Sequence, residues 1–400
     1  MEYDLFDAAT HAEPDAAFAA LRQQCPVHHN GERDFYTVAS SASVASILRD
    51  APNWSSRFRN GLAYHSSPSP MLLDADPPTH TWQRRLLQKA WTPQLIALLE
   101  PRVREIVERQ MDGLGNEAWC DFHEVIATTV PVMVISDFIG VPPGDRDRFR
   151  AWSDARVAAT AGMPGHEESY RSASEAIDGY FADHVARRRK ELGRGIAPDD
   201  FTTMIVTTDD AGRLLTDDEV RQVLSLMLLG GIETTTMHLS NLAHRLATEP
   251  GLAAQLRAEP DLVPVAVEES MRIDSPTLGL FRTPNADTCV DGVRIPEDAK
   301  TMVLFAAVNR DPEIWPDPDA FRLDRSPAEL HRHFGFGHGP HRCIGAPLAR
   351  LEGKVVLDLM VRRWRGLRYL EPPTRTSTMI FRGFTRQILG WEPGGPPADH

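Results

Sequence analysis

One cysteine near the carboxyl end of the chain lies in a setting that favours a thiolate. Cys343 follows a glycine-rich loop and opens a stretch of apolar residues at helical spacing. A helix N-terminus offers partial positive charge and free N–H donors, and His341 and Arg342 add basic groups beside the sulfur. Cys343 is therefore predicted to be a metal ligand or a nucleophile. A free cysteine usually behaves as a small hydrophobe, and that interpretation is kept for the other three: Cys25, Cys120 and Cys289.

A second unusual run lies within a long apolar helix predicted from about residue 218 to 247. Gly230 and Gly231 are followed by Glu233 and by three threonines, 234–236. Each glycine inside a helix costs about 1 kcal/mol relative to alanine, and threonine hydroxyls compete for backbone carbonyls. The run indicates either a local opening where something approaches the backbone or a helix crossing that needs small residues.

The elements that position these residues are mostly helices. No internal repeat is present, and proline- and glycine-rich turns separate the periodic segments. Apolar periodicity predicts helices at about 15–24, 93–113, 121–139, 167–191, 218–247 and 260–273, and alternation predicts strands within 34–38 and 287–303. The predicted fold is mainly α with a minor β part, and residues 393–400 are predicted to be a frayed tail.

The loop around Cys343 resembles the haem-binding signature of the cytochrome P450 family. All six defined positions of that signature match: Phe336, Gly337, Gly339, His341, Cys343 and Gly345. The resemblance implies that Cys343 is the proximal thiolate of haem b, a ligand that favours O–O cleavage. It also implies that Phe336 and Gly345 pack near the sulfur and that His341 reaches a haem propionate. Residues 1–400 are then expected to form one cytochrome P450 domain, with a haem-thiolate loop at 333–345.

The glycine-interrupted helix resembles the oxygen-binding helix of the same family. The resemblance implies that Gly230 and Gly231 form a groove for dioxygen, and that Glu233 and Thr234 are the acid–alcohol pair that delivers protons. This pair favours a dioxygen-dependent monooxygenase. Two alternatives stay open: a haem-thiolate protein that only binds a gas or ligand, and an enzyme that uses Cys343 and His341 as nucleophile and base.

Further basic residues match the family's propionate ligands. His80 and Arg84 lie four residues apart on one predicted helix face, and Arg282 follows in the segment 281–283. Arginine suits planar carboxylates through paired hydrogen bonds. Without the resemblance, His80 and Arg84 would be interpreted as an ordinary exposed basic pair.

Glu269 and Arg272 match the E-x-x-R motif of the family. An acid and a base three residues apart are common and give little support alone, but the order along the chain fits. Arg325 is expected to be the third member, although the family pattern more often has an acid where Arg322 stands. These residues are expected to be structural.

Small and apolar residues are expected to line the substrate site. By resemblance they are Leu229, Gly230, Thr277, Leu278, Gly279 and Met379, and core packing is the alternative for all of them. They imply a hydrophobic small-molecule substrate. Arg57 or Arg59, in the variable substrate loop, is a weaker candidate for meeting an acidic or oxygenated substrate group. The turn 162–165 resembles the mobile lid, placed at about 153–190.

Composition and charge restrict the partners. Lys plus Arg is 43 and Asp plus Glu is 56, giving a net charge of −13, which argues against nucleic-acid binding. No apolar run approaches the roughly 20 residues that span a bilayer, the N-terminus does not resemble a signal peptide, and four unpatterned cysteines indicate a reducing compartment. We expect a soluble, cytoplasmic protein of the bacterial-type branch, with no membrane partner.

Electron supply is expected from an iron–sulfur ferredoxin and its NAD(P)H-dependent reductase. We expect no flavin or iron–sulfur domain to be fused to the chain. A basic face behind Cys343 is predicted to steer a small acidic carrier. Its predicted members are Arg84, Arg85, Lys89, Arg342, Arg350 and Lys354.

Overall fold

Helices form most of the described structure, as the sequence predicts. The computed structural model describes residues 4, 7, 10, 14–58, 70–160 and 167–392. Its α-helices are Pro14–Gln24, Ser41–Arg49, Thr79–Ala90, Pro93–Asp112, Thr129–Ile139, Arg146–Thr160, Glu167–Gly193, Phe201–Thr207, Asp217–Thr248, Leu252–Ala258, Val263–Ile273, Phe305–Val308, Pro327–Leu330 and Ala346–Arg363. Short 3₁₀ turns occur at Leu72–Asp74, Pro143–Asp145, Pro260–Leu262 and Gly339–His341. The predicted mainly α fold is confirmed.

The helix predicted at 121–139 is interrupted. The strand Trp119–Asp121 is followed by a π-helical stretch, His123–Thr128, and only then by the α-helix Thr129–Ile139. Pro131 has no N–H to continue the backbone ladder, and the Thr129 hydroxyl donates to the carbonyl of Glu124, five residues earlier, at 2.8 Å. A proline near the start of the second segment therefore favours the wider turn before it.

The helix Asp217–Thr248, called the long helix below, begins at a capping box. The Thr216 hydroxyl accepts from the N–H of Glu219, whose carboxylate accepts from the N–H of Thr216. Acidic residues fill its first turn, where the helix dipole favours negative charge. The helix continues without interruption through residues 230–236, and it packs against the helices at 129–139, 167–193 and 346–363.

The strands form one five-stranded sheet and several small ones. In spatial order the large sheet contains Val27–Asn30, Phe35–Val38, Thr301–Leu304, Gly279–Pro284 and Trp54–Ser55. A three-stranded sheet joins Arg365–Tyr369, Ile388–Glu392 and Trp119–Asp121. Hairpins pair Asp209–Asp210 with Arg213–Leu214, Thr288–Val290 with Val293–Ile295, and Thr374–Arg375 with Phe384–Arg386.

The large sheet and the helices around the long helix have separate apolar cores. One core surrounds the long helix, and two smaller cores lie on the sheet. Antiparallel pairing places Arg282 opposite Thr301 in the sheet. None of the helices in the described ranges is long and apolar enough to cross a membrane.

Candidate active site

The loop that carries Cys343 is held in shape by its glycines. Gly337 and Gly339 have φ angles of 69° and 71°, in the left-handed region that favours glycine. A Cβ on Gly339 would also lie 2.3 Å from the carbonyl oxygen of Leu48. The Cys343 N–H donates to the carbonyl of Phe336 at 2.8 Å, and a Cβ on Gly345 would lie only 3.7 Å from the sulfur. The chain therefore folds closely around the thiol.

The Cys343 sulfur is accessible and yet embedded in the protein. The residue is exposed, while burial raises the pKa of its thiol. The N–H groups of Gly345 and Ala346 and the charges of Arg84 and Arg350 act in the opposite direction and favour the thiolate. An accessible sulfur with N–H groups directed at it has the environment of a metal ligand.

Four basic side chains gather beside this loop, although they come from three distant segments. The rings of His80 and His341 stack with their centroids 4.0 Å apart. The Nε2 atom of His341 lies 3.4 Å from the Ser56 hydroxyl. Arg84 lies on the same helix as His80, Arg282 lies on the strand Gly279–Pro284, and the charges of both arginines act on His80. We call His80, Arg84, Arg282 and His341 the propionate cluster.

The propionate cluster combines two arginines with two histidines whose pKa values are lowered. Burial, together with the charges of Arg84 and Arg282, lowers the pKa of His80 to about 4. Burial and the charge of Arg282 lower the pKa of His341 to about 2, and burial lowers the pKa of Arg282 to about 10. Among the described residues neither Arg84 nor Arg282 forms an ion pair. The two carboxylates of haem match these donors, so the residues present fit that group.

Asp76 and Ser56 support this cluster and were not predicted from the sequence. The carboxylate of Asp76 accepts from the Ser55 hydroxyl and, at 2.8 Å, from the Ser56 N–H. It thereby fixes the segment whose Ser56 hydroxyl meets His341. The only signal in the sequence is an acid before a proline pair, and an acid at that place is common in turns.

Glu233 and Thr234 lie side by side on the long helix but have different environments. Glu233 is buried, and its Oε1 accepts from the Ser153 hydroxyl at 2.9 Å. Thr234 is half-buried, and its hydroxyl donates to the carbonyl of Gly230 at 2.7 Å. Ser153, on the helix Arg146–Thr160, was not predicted, because nothing in the sequence distinguishes it from other helix serines.

The two glycines of the long helix also differ. Gly230 is exposed, and a Cβ placed there would meet nothing within 4 Å. A Cβ on Gly231 would lie 3.3 Å from the side chain of Ile135, on the helix Thr129–Ile139. Gly231 therefore serves a close helix crossing, the alternative left open by the sequence, while Gly230 borders open space.

The residues expected to contact the substrate also divide into accessible and buried ones. Leu229 and Thr277 are half-buried and Gly230 is exposed. Leu278 and Met379 are buried in the apolar core of the sheet together with Phe18, Phe35 and Phe281. A Cβ on Gly279 would lie 2.3 Å from the carbonyl oxygen of Val303, so close strand contact explains that glycine.

Arg57 already has partners in the protein. Its guanidinium pairs with Asp298 and lies 4.8 Å from the ring centroid of Phe58. These contacts leave less reason to expect it to meet a substrate group. Arg59, the turn 162–165 and the tail 393–400 lie outside the described residues.

Glu269, Arg272 and Arg325 meet in the interior, and we call them the E-x-x-R cluster. The Glu269 carboxylate accepts from Arg272 Nη2 and Nε at 2.7 Å each, and from Arg325 Nε at 3.1 Å. The remaining donors of Arg272 reach the carbonyls of Asn309, Pro318 and Ala320. Arg322 contributes only its backbone N–H, at 3.0 Å from Glu269.

Most of the predicted basic face is neutralised within the chain. Arg85 and Lys89 pair with Asp210 at 2.9 and 2.8 Å, and Lys354 pairs with Glu100 at 3.2 Å. Arg350 pairs with Glu268, and Arg84 belongs to the propionate cluster. Among the six predicted residues, only Arg342 is exposed and has no ion pair within the described residues.

A smaller basic surface remains at the outer side of the cysteine loop. The helix Ser41–Arg49 ends against the turn at 339–341, where a Cβ on Gly339 would lie 3.4 Å from the Cα of Arg49. Burial lowers the pKa of His338, and the charges of Arg49 and Arg342 lower it further. Arg49 was missed at the sequence level because it is about 290 residues away from the loop.

Known proteins resemble this chain over most of its length. The sequence model of the family described as "Cytochrome P450" matches residues 158–388. Cytochrome P450 monooxygenase PikC from Streptomyces venezuelae is 32% identical over 363 residues, which are 88% of this chain and 84% of that protein. Mycinamicin IV hydroxylase/epoxidase from Micromonospora griseorubida is 36% identical over 328 residues, which are 80% of this chain and 79% of that protein.

The fold is also similar to solved structures. Cytochrome P450 CYP109Q5 from Chondromyces apiculatus superposes with a TM-score of 0.88 at 30% sequence identity, and the match covers 98% of each chain. The predicted fold, a large helical region with a small β-rich region, agrees with this similarity.

Proposed function

The chain belongs to the cytochrome P450 family, and from that membership we propose that residues 1–400 form one haem-thiolate monooxygenase domain that hydroxylates, epoxidises or O-dealkylates a hydrophobic small molecule with electrons from a ferredoxin. Haem b, the cofactor of the family, activates dioxygen when it is bound. The observation that carries the proposal is the position of the exposed Cys343 beside two stacked histidines and two arginines, Arg84 and Arg282, that form no ion pair among the described residues.

In this proposal the cysteine loop and the propionate cluster hold the haem. Cys343 is the thiolate ligand, and the N–H groups of Gly345 and Ala346 stabilise its negative charge. Phe336 packs beside it. The propionates are bound by the cluster defined above: His80, Arg84, Arg282 and His341. An anionic partner compensates the charges of Arg84 and Arg282 and accepts hydrogen bonds from the neutral histidines.

Glu233 and Thr234 are proposed to move protons. The Thr234 hydroxyl now donates to Gly230, and it can turn to an oxygen acceptor in the open space beside that glycine. The Glu233 carboxylate is held by Ser153, so it stays in place next to the threonine. A buried carboxylate next to a half-buried hydroxyl suits proton transfer from the protein interior to the open space beside Gly230.

The substrate is proposed to be a hydrophobic small molecule that lies against Leu229, Gly230 and Thr277. These are the accessible members of the predicted set. Leu278, Gly279 and Met379 support the wall from behind. The relative named as a hydroxylase/epoxidase supports the type of reaction and does not fix the substrate.

The test is a ferrous–CO difference spectrum of the purified haem protein, followed by a spin-shift screen of hydrophobic compounds. The long-wavelength Soret band of a thiolate complex is expected for the wild type, and its loss for Cys343→Ser. A band at the position of histidine-ligated haem in well-folded wild type would overturn thiolate ligation. Haem-free protein with a reactive Cys343 would instead support the cysteine-nucleophile alternative.

Thr234→Ala separates a monooxygenase from a protein that only binds ligands. Loss of the hydroxyl should lower product formed per NAD(P)H by about tenfold or more, with release of hydrogen peroxide, because proton transfer is worth a hundredfold or more in rate. Haem content and substrate affinity should stay at wild-type values. A chain that never turns over any compound giving a spin shift would favour the ligand-binding alternative.

We place the acidic ferredoxin on the small basic surface of Arg49 and Arg342, beside the neutral ring of His338, and expect an NAD(P)H-dependent reductase to supply it. Arg342→Gln should slow reduction by about tenfold at low ionic strength, since the electrostatic contribution to association is at least of that order. Arg85→Gln is the matched control, because Asp210 already neutralises Arg85. Equal rates for both variants, independent of salt, would contradict this docking site.

A further inference from the structure

The carboxylate of Glu268, which is not part of the E-x-x-R motif, joins three segments around the cysteine loop. Glu268 lies on the helix Val263–Ile273, immediately before the E-x-x-R glutamate. Its Oε2 accepts from Arg350 Nη2 at 2.9 Å, its Oε1 accepts from Arg350 Nε, and His333 Nε2 lies 3.0 Å from Oε2. His333 begins the cysteine loop, and Arg350 lies on the helix that follows it. We call these three residues the Glu268 triad.

The hydrogen-bond directions in the Glu268 triad are fixed. The Gly335 N–H donates to His333 Nδ1 at 3.0 Å, so Nδ1 is an acceptor and the proton lies on Nε2. His333 therefore donates to Glu268 as a neutral imidazole. The His333 side chain is 1% exposed, Glu268 15% and Arg350 27%, which keeps the ion pair partly out of water. Such pairs are screened less than those at the surface.

The triad reaches Cys343 through Phe336. The guanidinium carbon of Arg350 lies 4.4 Å from the ring centroid of Phe336, within the range of a cation–π contact. The carbonyl of Phe336 accepts from the Cys343 N–H. Arg350 is therefore separated from the backbone of Cys343 by one residue, Phe336.

We propose that the Glu268 triad sets the reduction potential of the haem bound at Cys343. Arg350 supplies a positive charge next to Phe336, and Glu268, held by His333, is the counterion that limits its effect. The inference rests on the proposed thiolate ligation. One electron from an external donor reduces ferric to ferrous iron and adds one negative charge to the site. A nearby positive charge therefore favours the reduced state, and a negative charge favours the oxidised state.

The test is a redox titration of the haem protein with two variants that should shift in opposite directions. Glu268→Gln leaves Arg350 without its counterion and should raise the midpoint potential. Arg350→Met leaves the carboxylate uncompensated and should lower it. We expect at least about a threefold change in the reduction equilibrium in each case, roughly 30 mV for a one-electron couple. Glu268→Asp keeps the charge and should stay nearer to the wild type.

A matched control lies one helical turn further along. Lys354, on the same helix as Arg350, pairs with Glu100 at 3.2 Å, whereas the cation–π contact with Phe336 is made by Arg350. Glu100→Gln and Lys354→Met make the same charge changes and should shift the potential less than the triad variants. Shifts of equal size would show that any charge on this helix acts alike, which would overturn the specific role of the triad.

The outcomes separate the inference from the function on which it rests. A wild type without the long-wavelength ferrous–CO band would overturn Cys343 ligation. If the band is present, unchanged potentials or shifts of the same sign in Glu268→Gln and Arg350→Met would overturn the tuning role and leave a structural one. Should Glu268→Gln fail to fold, Arg350→Met against Arg350→Lys still tests the sign, since only lysine keeps the charge.

Discussion

Two buried clusters of charge lie close to the cysteine loop, and they are built on opposite plans. In the E-x-x-R cluster, Glu269 is shared by Arg272 and Arg325, and the remaining guanidinium donors reach backbone carbonyls. In the propionate cluster, two histidines and two arginines crowd together, and among the described residues no ion pair neutralises the arginines. Both clusters match family motifs, so the sequence alone does not separate their roles.

The difference distinguishes a structural site from a binding site. Removing one member of a paired, buried cluster leaves a charge without compensation, which is strongly destabilising. In the propionate cluster, burial and the nearby arginines lower the pKa values of His80 and His341, so both rings are neutral at pH 7 and the two arginines are left without an ion pair among the described residues. Buried arginines without an internal counter-charge suit a site that binds a ligand of opposite charge.

The largest effect is expected for Glu269→Gln. The variant leaves Arg272 and Arg325 buried without a counter-charge; the side chains of Arg272 and Glu269 are both 0% exposed. Breaking a buried pair in this way costs about 3–5 kcal/mol. Thermal unfolding followed by circular dichroism should show a large fall in the midpoint, or no folded protein should be obtained.

Arg322→Ala is the control for that experiment. Among the described residues its guanidinium pairs only with the exposed carboxylates of Asp317 and Asp324, and its contact with Glu269 is made by the backbone. The unfolding midpoint should therefore stay at the wild-type value. A fall comparable with that of Glu269→Gln would mean that Arg322, and not Arg325 alone, belongs to the cluster.

The next effect concerns two neighbouring arginines on one helix. Arg84→Met should weaken haem binding by about tenfold to a hundredfold, the loss expected for one charge-assisted hydrogen bond, without lowering the stability of the haem-free protein. The reason is that Arg84 forms no ion pair among the described residues, so its removal breaks none in the haem-free protein. Haem transfer to apomyoglobin measures the first quantity, and thermal unfolding of the apoprotein measures the second.

Arg85→Met should give the reverse pattern. Arg85 is paired with Asp210 and does not belong to the propionate cluster. Haem transfer should occur at the wild-type rate, and the apoprotein should lose a little stability. If both variants behaved alike, the contrast between unpaired and paired charges would not explain the propionate cluster.

The extent to which these sites could be predicted follows from distance along the chain. The cysteine loop is contiguous, so its glycines, its cysteine and its basic neighbours could be interpreted together. The long helix could be predicted because its apolar periodicity continues for about nine turns. Ion pairs such as Arg350 with Glu268 and Lys354 with Glu100 join residues 82 and 254 positions apart. Their pairing depends on the fold, and the predicted basic face was wrong for that reason.

Apolar residues were ambiguous for a different reason. A leucine or methionine is equally satisfied by a core and by a hydrophobic substrate. Leu278 and Met379 lie in the core of the sheet, whereas Leu229 and Thr277 are partly accessible, and no sequence pattern distinguishes the two groups. Polar residues could be assigned more readily, because a buried polar group needs a partner of definite chemistry.

His238 differs from the members of both clusters, because its ring contacts neither a paired charge nor a like charge. It lies on the long helix, fully buried, and neither ring nitrogen has a hydrogen-bond partner among the described residues. A Cβ on Gly353 would lie 2.8 Å from His238 Nε2, so that glycine makes room for the ring. Burial lowers the pKa of His238 to about 4.

The smallest effect is therefore a pH dependence of stability. In the unfolded chain His238 is protonated below its ordinary pKa of 6.5, whereas in the folded protein it is protonated only below about pH 4. The free energy of unfolding therefore falls as the pH falls from 6.5 to 4. His238→Leu should remove about 1–2 kcal/mol of the stability that is lost between pH 7 and pH 5.

His244→Leu is the control. The pKa of His244 is also about 4, but its Nδ1 lies 3.1 Å from the Tyr369 hydroxyl. Both variants should flatten the pH profile of urea unfolding, and only His244→Leu should lose stability at pH 7. An unchanged slope for His238→Leu would show that the ring is already protonated in the folded protein, and that it has a partner as the E-x-x-R cluster does.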